Sequence, residues 1–236
     1  MTPAVRREIA AARTLKAFLE GDGAYPFGEV LRCEGEANPH GVEVTLPEDA
    51  FPIVSDYLSR YTTYGALRSA VALKYARHRG VDIAAPIGTP VLAAAGGVVV
   101  RSALSEAHGE RVEVEHAGTA PSAAGAHAPL RTSYVHLEKR LVEVGGVVCR
   151  GQVIGTVGVT GKTAAKKVPH LHFGLAGRDA SGGGKWRTQN PHEHWFDGPG
   201  RVALFKPPRD YALNPRGLTY PVPGRGDLER YLAALD

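Results

Sequence analysis

Residues 90–102, Pro-Val-Leu-Ala-Ala-Ala-Gly-Gly-Val-Val-Val-Arg-Ser, and residues 142–158, Val-Glu-Val-Gly-Gly-Val-Val-Cys-Arg-Gly-Gln-Val-Ile-Gly-Thr-Val-Gly, decide the fold. Each is a set of short apolar runs, rich in valine, cut by Gly-Gly pairs or single glycines. Runs this short suit strands better than helices, and the glycines supply the turns between them. Working outward, the same texture recurs at Val81–Ala84, Pro90–Ala95, Gly97–Ser102, Arg111–His116, Thr132–His136, Val142–Val144, Val153–Val157 and Leu171–Leu175. Two further short candidates, Glu43–Leu46 and Phe51–Val54, precede them between Pro39, Pro47 and Pro52. Many short strands at close spacing predict an all-β core, an antiparallel sheet or sandwich, and argue against a parallel α/β sheet.

The flanks read differently. Thr2-Pro3 fits a helix start, and Val5, Ile9, Ala12, Leu15, Phe18 and Leu19 recur at helical spacing before Gly21. This predicts a helix over residues 1–24. Arg13 and Lys16 interrupt any secretory apolar core there, so no export signal is expected within this stretch. A second helical stretch is predicted around Leu67–Tyr75, and a short final helix through Leu228, Tyr231, Leu232 and Leu235, capped by Asp227. Residues Ala117–Leu130 and Gly177–Gly184 are small and polar and read as exposed loops. The expected organisation is an N-terminal helix (1–24), lead-in strands and a helix packed on the core (25–75), a central domain (76–205) and a C-terminal extension (206–236). Both flanks are expected to pack on the outside of the core or to wall its groove.

Composition excludes several classes. The 236 residues are 43% hydrophobic, enough for a core, and no apolar run approaches the roughly 20 residues of a membrane helix. A net charge of +4, without a long basic block, assigns no polyanion, and no nucleic-acid partner is expected. Cys33 and Cys149 are too few and too far apart for a metal motif.

Histidine carries the chemical signal. Three clusters lie on or beside predicted strands: His78-Arg79-Gly80-Val81-Asp82, Tyr134-Val135-His136-Leu137 and His170-Leu171-His172. Strand residues two apart share a face, so His170 and His172 project into one site. His78 and Asp82 reach a single ion if the backbone turns at Gly80. Neutral imidazole and carboxylate suit tetrahedral zinc, and a catalytic site keeps three protein ligands. No HExxH helix is present, which leaves proton transfer to histidine.

In these residues the chain resembles the lysostaphin-type zinc metallopeptidases, which cut the peptide part of bacterial peptidoglycan. The carrying segments are His78 through Val99, Tyr134-Val-His-Leu, Gly151-Gln-Val-Ile-Gly-Thr-Val-Gly-Val-Thr-Gly161 and Pro169-His-Leu-His-Phe, in the family's order across about residues 76–176. The resemblance implies a lysostaphin-like antiparallel β-fold of the hybrid-barrel type. It makes His78, Asp82 and His172 the ligands of one zinc ion, and His136 and His170 the catalytic pair beside the metal-bound water. It further implies a peptidoglycan peptide as substrate and work in the periplasm or outside the cell, with oligomeric state left open.

This chain departs from the family pattern in three places. Gly145-Gly146 stands where Gly-Asp is common, Gly174 follows His-Phe where Glu is frequent, and the Lys162–Val168 loop carries three lysines. None removes a ligand; they bear on substrate preference. Tyr134 reads as a groove wall or a core residue. His116 is expected to make a structural hydrogen bond, His192 and His194 to sit in a packed loop beside Trp195 and not in a second metal site, and His40, His108 and His127 to be surface loop residues. Two other classes share elements of the pattern. A non-catalytic peptidoglycan-binding or amidase-activating module would be expected to have lost zinc ligands. A lipoyl or phosphohistidine carrier on a hybrid barrel would need a hairpin lysine, which Lys162 fits poorly, or would have no use for Asp82.

Overall fold

Strand formation follows the alternation of side chains. In Arg111–His116, Val112, Val114 and His116 are buried while Arg111 and Glu115 turn to the other face; in Arg131–Tyr134, Thr132 and Tyr134 are buried while Arg131 and Ser133 face the same way as Arg111. A period of two with one apolar face is a half-buried antiparallel strand. The computed structural model describes residues 40–59, 77–120, 128–164, 169–178, 184–206 and 217–232.

Ten strands form one antiparallel sheet system. They are β1 (Ile53–Ser55), β2 (Val81–Ala84), β3 (Pro90–Leu92), β4 (Gly97–Ser105), β5 (Gly109–Ala120), β6 (Ala128–Arg140), β7 (Val147–Val148), β8 (Val153–Val157), β9 (His170–Arg178) and β10 (Trp186–Gln189). The main path runs β1-β2-β9-β6-β5-β4-β7, with β10 on β9, and β8 joining β3 to β6. An all-β antiparallel core is therefore what the chain folds into. Its one described α-helix, α1 (Leu228–Leu232), follows a 3-10 turn over Arg225–Asp227 and buries Leu228. Asp227 thus ends that turn instead of standing alone as a helix cap.

Several local expectations change. Residues 117–120 and 128–130, read as loop, continue β5 and β6: their weak β propensity is overridden by pairing with each other and with β9. The strand between Leu141 and Val148 is Val147–Val148, after the Gly-Gly turn, and not Val142–Val144. Glu43–Leu46 contributes a single bridge, Thr45 to Arg201, and the second early strand begins at Ile53. The helices expected over 1–24 and Leu67–Tyr75 lie outside the described residues, as do Cys33 and His127.

One hydrophobic cluster spans the sheet. It joins Phe51, Ile83, Val91, Tyr134, Ile154 and Phe173 to Trp195, Leu218, Tyr220 and Val222. The C-terminal segment is accordingly part of the core, not an external wall: Thr219 N–H donates to Ala94, Leu92 N–H to Pro221, and the Tyr220 hydroxyl to the Phe51 carbonyl at 2.8 Å. Gly97 is required where β4 crosses β5, since a Cβ there would lie 2.3 Å from the Glu115 carbonyl oxygen.

His116 pins the interior. Its Nδ1 donates to the Gly96 carbonyl at 2.9 Å, its Nε2 meets Thr132 Oγ1 at 2.8 Å, and that hydroxyl lies 3.0 Å from the Tyr134 hydroxyl, which accepts from Ala94 N–H. A neutral ring satisfies this chain; a protonated one would have to donate from both nitrogens in a fully buried site. Burial pushes the His116 pKa down to about 4. The unfolded chain, with an ordinary histidine, takes up the proton first, so stability falls as pH drops from about 6.5 towards about 4. We expect His116→Gln to flatten the profile of unfolding free energy against pH across that window, removing a slope of up to about 1.4 kcal/mol per pH unit; denaturant titrations at fixed pH steps measure it.

Candidate metal centre

Antiparallel pairing of β2 with β9 sets Asp82 opposite His172 and Ala84 opposite His170. His78 precedes β2, and Gly80 lets the segment between them pass against β9, where a Cβ would meet the Phe173 carbonyl oxygen at 2.5 Å. Three ligating atoms converge. His78 Nε2 is 3.1 Å from Asp82 Oδ1 and 3.1 Å from His172 Nδ1, and His172 Nδ1 is 2.8 Å from Asp82 Oδ1. Neighbouring ligands of a tetrahedral ion held at about 2.0–2.1 Å stand roughly 3.3 Å apart, close to these separations.

The proton positions support a cation between them. His78 Nδ1 is 2.8 Å from the Asp56 carbonyl oxygen, an atom that only accepts, so Nδ1 carries the proton. Nε2 of the neutral ring therefore brings a lone pair towards the Asp82 carboxylate, a contact between two acceptors that a cation relieves. The donor set of two imidazoles and a carboxylate fits a divalent transition metal. Burial alone would raise the Asp82 carboxyl. The neighbouring His78, His170 and His172 imidazoles outweigh it and hold the group well below the usual carboxylate range. Burial pushes the His172 imidazole down, against the opposing pull of Asp82.

His170 and His136 flank this triad. His170 is almost wholly buried, with Nε2 3.9 Å from Asp82 Oδ1. The His136 ring lies edge-on to it, centroids 5.1 Å apart, and 6.2 Å from the His172 ring. His136 arrives there through a β-bulge: Val135 pairs with Arg111 and Leu137 with Glu110, leaving His136 as the extra residue at φ +67°. A left-handed histidine costs about 1–3 kcal/mol, and such bulges re-aim side chains beside functional sites. His136 Nδ1 donates to the Thr160 carbonyl at 2.9 Å, which leaves Nε2 with the lone pair. Burial first, then the neighbouring His170, push the His136 pKa down to about 4.

All five residues expected to form the site, His78, Asp82, His136, His170 and His172, are thus brought together. Tyr134 is a core residue, fully buried against Phe173. The structure also shows what the sequence did not signal. His40 is no surface side chain: its ring stacks on His192 at 5.1 Å, and its Nε2 lies 3.0 Å from Asp56 Oδ2. His192 Nε2 lies 2.8 Å from Asp56 Oδ1, which also accepts from Tyr57 N–H at 2.7 Å. Burial would raise the Asp56 carboxyl, but hydrogen bonds from His192 and His40 hold it far below the usual range. Trp195 donates to His192 Nδ1 at 3.0 Å, and Val42 N–H donates to His40 Nδ1 at 3.2 Å. Both Nδ1 atoms accept, so both Nε2 atoms hold protons and donate to Asp56. Two histidines and an aspartate here form a brace that fixes the residue whose carbonyl orients His78. No spacing in the sequence links Asp56 to His40 or to His192.

The family model described as Peptidase family M23 matches residues 76–182. The peptidoglycan DD-endopeptidase ShyC of Vibrio cholerae is 42% identical over 96 residues, 41% of this chain and 19% of its own. ShyA of the same organism is 40% identical over 105 residues, 44% of this chain and 21% of its own. Among solved structures, the catalytic domain of lysostaphin from Staphylococcus simulans aligns with 59% of this chain and 85% of its own at a TM-score of 0.39 and 28% identity. The chain spans about a fifth of the length of these two curated relatives.

Second-layer hydrogen bonds to metal-binding histidines contribute substantially to affinity. Replacing His192→Phe removes one proton donor from the buried Asp56 carboxylate and loosens the carbonyl behind His78. We expect the affinity of the metal-free protein for Zn²⁺ to fall about tenfold, read by competition with a chromophoric chelator.

Proposed function

We propose that this protein, whose residues 76–182 match the model of peptidase family M23, is a zinc-dependent endopeptidase. It hydrolyses peptide cross-links or bridges of bacterial peptidoglycan. The observation that carries the proposal is a triad of converging ligand atoms with two more histidines on its flank, four of the five residues set by strand register and a bulge and His78 by its bond to the Asp56 carbonyl.

His78 Nε2, Asp82 Oδ1 and His172 Nδ1 would hold the zinc ion. Bound there, it supplies Lewis-acid activation of water and of the scissile carbonyl. The rest of the chemistry falls to this chain's own side chains. Because Thr160 holds the Nδ1 proton of His136 and burial keeps the ring neutral at pH 7, its Nε2 can take the proton released when water attacks the amide. That proton is then available at Nε2 for the departing amine. His170, anchored beside Asp82, is placed to hydrogen-bond the oxygen that gains charge on the attacked carbonyl. Asp56 acts one step back, by holding His78 in the tautomer that presents Nε2.

The substrate lies outside the cytoplasm, so the proposal includes action in the periplasm or beyond the cell surface. None of the described helices is long and apolar enough to cross a membrane. A non-catalytic role on the same fold is not favoured, because every ligating and proton-transferring position is filled.

The test is mass spectrometry of soluble products from purified sacculi incubated with the zinc-loaded protein. Cross-linked muropeptides should convert to monomers. His172→Ala should abolish conversion, and His136→Ala should slow it by about 10²–10⁴-fold while keeping bound zinc. Conversion by zinc-free His172→Ala at the wild-type rate, or none by the zinc-loaded wild type, overturns the proposal.

A further inference from the structure

The sheet face that carries the triad continues into a charged pocket. Strand pairing arranges it in rows. Asp82, His172, Val135 and Arg111 are successive partners across β2, β9, β6 and β5. Gly174, Ser133, Glu113 and Arg101 form the next row across β9, β6, β5 and β4. Thr188, Ala176, Arg131 and Glu115 form the third across β10, β9, β6 and β5. Rows lie about 7 Å apart along the strands, and Arg111 stands two strand spacings, roughly 10 Å, from His172.

A cavity of about 200 Å³ opens over these rows, lined among others by Arg79, Arg111, Arg131, Glu113, Ser133 and Trp186. Gly174 keeps its floor open. A Cβ at that position would lie 2.5 Å from Ser133 Oγ and 3.8 Å from His172 Nε2, so any side chain there would fill the space beside the ligand. The walls are cationic beyond what the protein neutralises. Glu113 faces three guanidiniums, Arg111, Arg101 at 3.4 Å and Arg131 at 3.7 Å, while Glu115 takes the other nitrogen of Arg131 at 2.9 Å. Among the described residues, the buried Nε–H groups of Arg111 and Arg131 meet no hydrogen-bond acceptor. Arg131 is also held rigid, its guanidinium 4.2 Å above the Trp186 ring. The terminal nitrogens of Arg131 already face Glu113 and Glu115, so a further carboxylate would be shared among the guanidiniums of Arg79, Arg111 and Arg131 beside the Ser133 and Thr188 hydroxyls, through charge-assisted hydrogen bonds.

We propose that this pocket is a carboxylate-recognition subsite of the substrate groove, which binds an anionic carboxyl group carried by the peptide next to the amide that is cut. The proposal rests on the endopeptidase function given above. An extended peptide advances about 3.3–3.6 Å per residue, so a carboxyl on the residue adjoining the cut amide, or on the one after it, spans the distance from the triad to the arginines. Arg79, the neighbour of His78 in sequence, and Arg111, in the row of His172, tie the pocket to the metal centre. A substrate whose carboxyl is amidated would leave the guanidiniums without their anion, and discrimination follows from that loss.

The probes are two synthetic cross-link peptides, one with the carboxylate adjoining the cleaved amide free and the other with it amidated. Affinity is measured by calorimetry on zinc-loaded His136→Ala protein, and kcat/KM on the wild type. The free carboxylate should bind about tenfold tighter and be cleaved with a correspondingly higher kcat/KM. Arg131→Gln should bring the ratio close to one, and Arg79→Gln, at an exposed position, should reduce it with zinc content unchanged. Equal affinity for the two peptides overturns the subsite, as does a ratio that survives in both arginine variants. If the affinities differ as expected and neither peptide is cleaved, the subsite stands and the endopeptidase function falls.

Discussion

Antiparallel pairing between β2 and β9 is the constraint on which the site depends. A one-residue slip would turn Asp82 and His172 to opposite faces and send His170 into the core, because strand side chains alternate strictly. The register is held from both sides: Val81 and Ile83 on β2, and Leu171 and Phe173 on β9, are fully buried and cannot exchange with the polar set. Core packing thereby fixes the chemistry. The side chains that exclude water from the interior also determine which carboxylate meets which imidazole.

The second layer of organisation works through backbone atoms. Two histidines of the site have their tautomers set by main-chain carbonyls, His78 by Asp56 and His136 by Thr160. Each carbonyl belongs to a segment tied down elsewhere. The Thr160 hydroxyl donates to the Leu137 carbonyl and accepts from Glu110 N–H, so it sits across the bulge that re-aims His136. Asp56 is clamped by His40, His192 and Tyr57 N–H. Backbone strain at His136 is thus met by hydrogen bonds from β5, β6 and the turn after β8, which over-determine a conformation the residue would not choose alone.

The β-core was legible in the sequence because it follows short-range rules, and a period of two likewise puts His170 and His172 on one face. That His78, Asp82 and His136 join them was implied by the family resemblance and not by spacing, because these segments meet only through the pairing of β9 with β2 and β6. What depends on distant segments meeting was not legible. The brace joins residues 40, 56 and 192, and nothing local marks Asp56 in Val-Ser-Asp-Tyr as different from any surface aspartate. His40 looked like a loop residue for the same reason. Residues 117–120 and 128–130 were misread because Ala, Gly and Pro are weak strand formers, and only their pairing with each other and with β9 extends the strands. The arginine pocket shows a mixed case. Its residues alternate visibly along β5 and β6, but the opening over Gly174 exists only because β9 lies against β6.

Two clusters in this protein have the same composition, two histidines and one aspartate with their polar atoms converging. Composition and proximity alone would assign a metal ion to both. The nitrogen facing away from each cluster separates them. In the His78 cluster the outer Nδ1 gives its proton to a carbonyl, which turns a lone pair inward. In the Asp56 cluster the outer Nδ1 of His192 accepts from Trp195, which can only donate, and that of His40 accepts from Val42 N–H. A metal at the second cluster would have to displace protons from neutral imidazoles that already satisfy the carboxylate. The same three residue types therefore offer a place for a cation in one cluster and form a proton-filled brace in the other. The brace lies directly behind His78, so the second cluster's full hydrogen-bonding is what leaves the first one's lone pair in position.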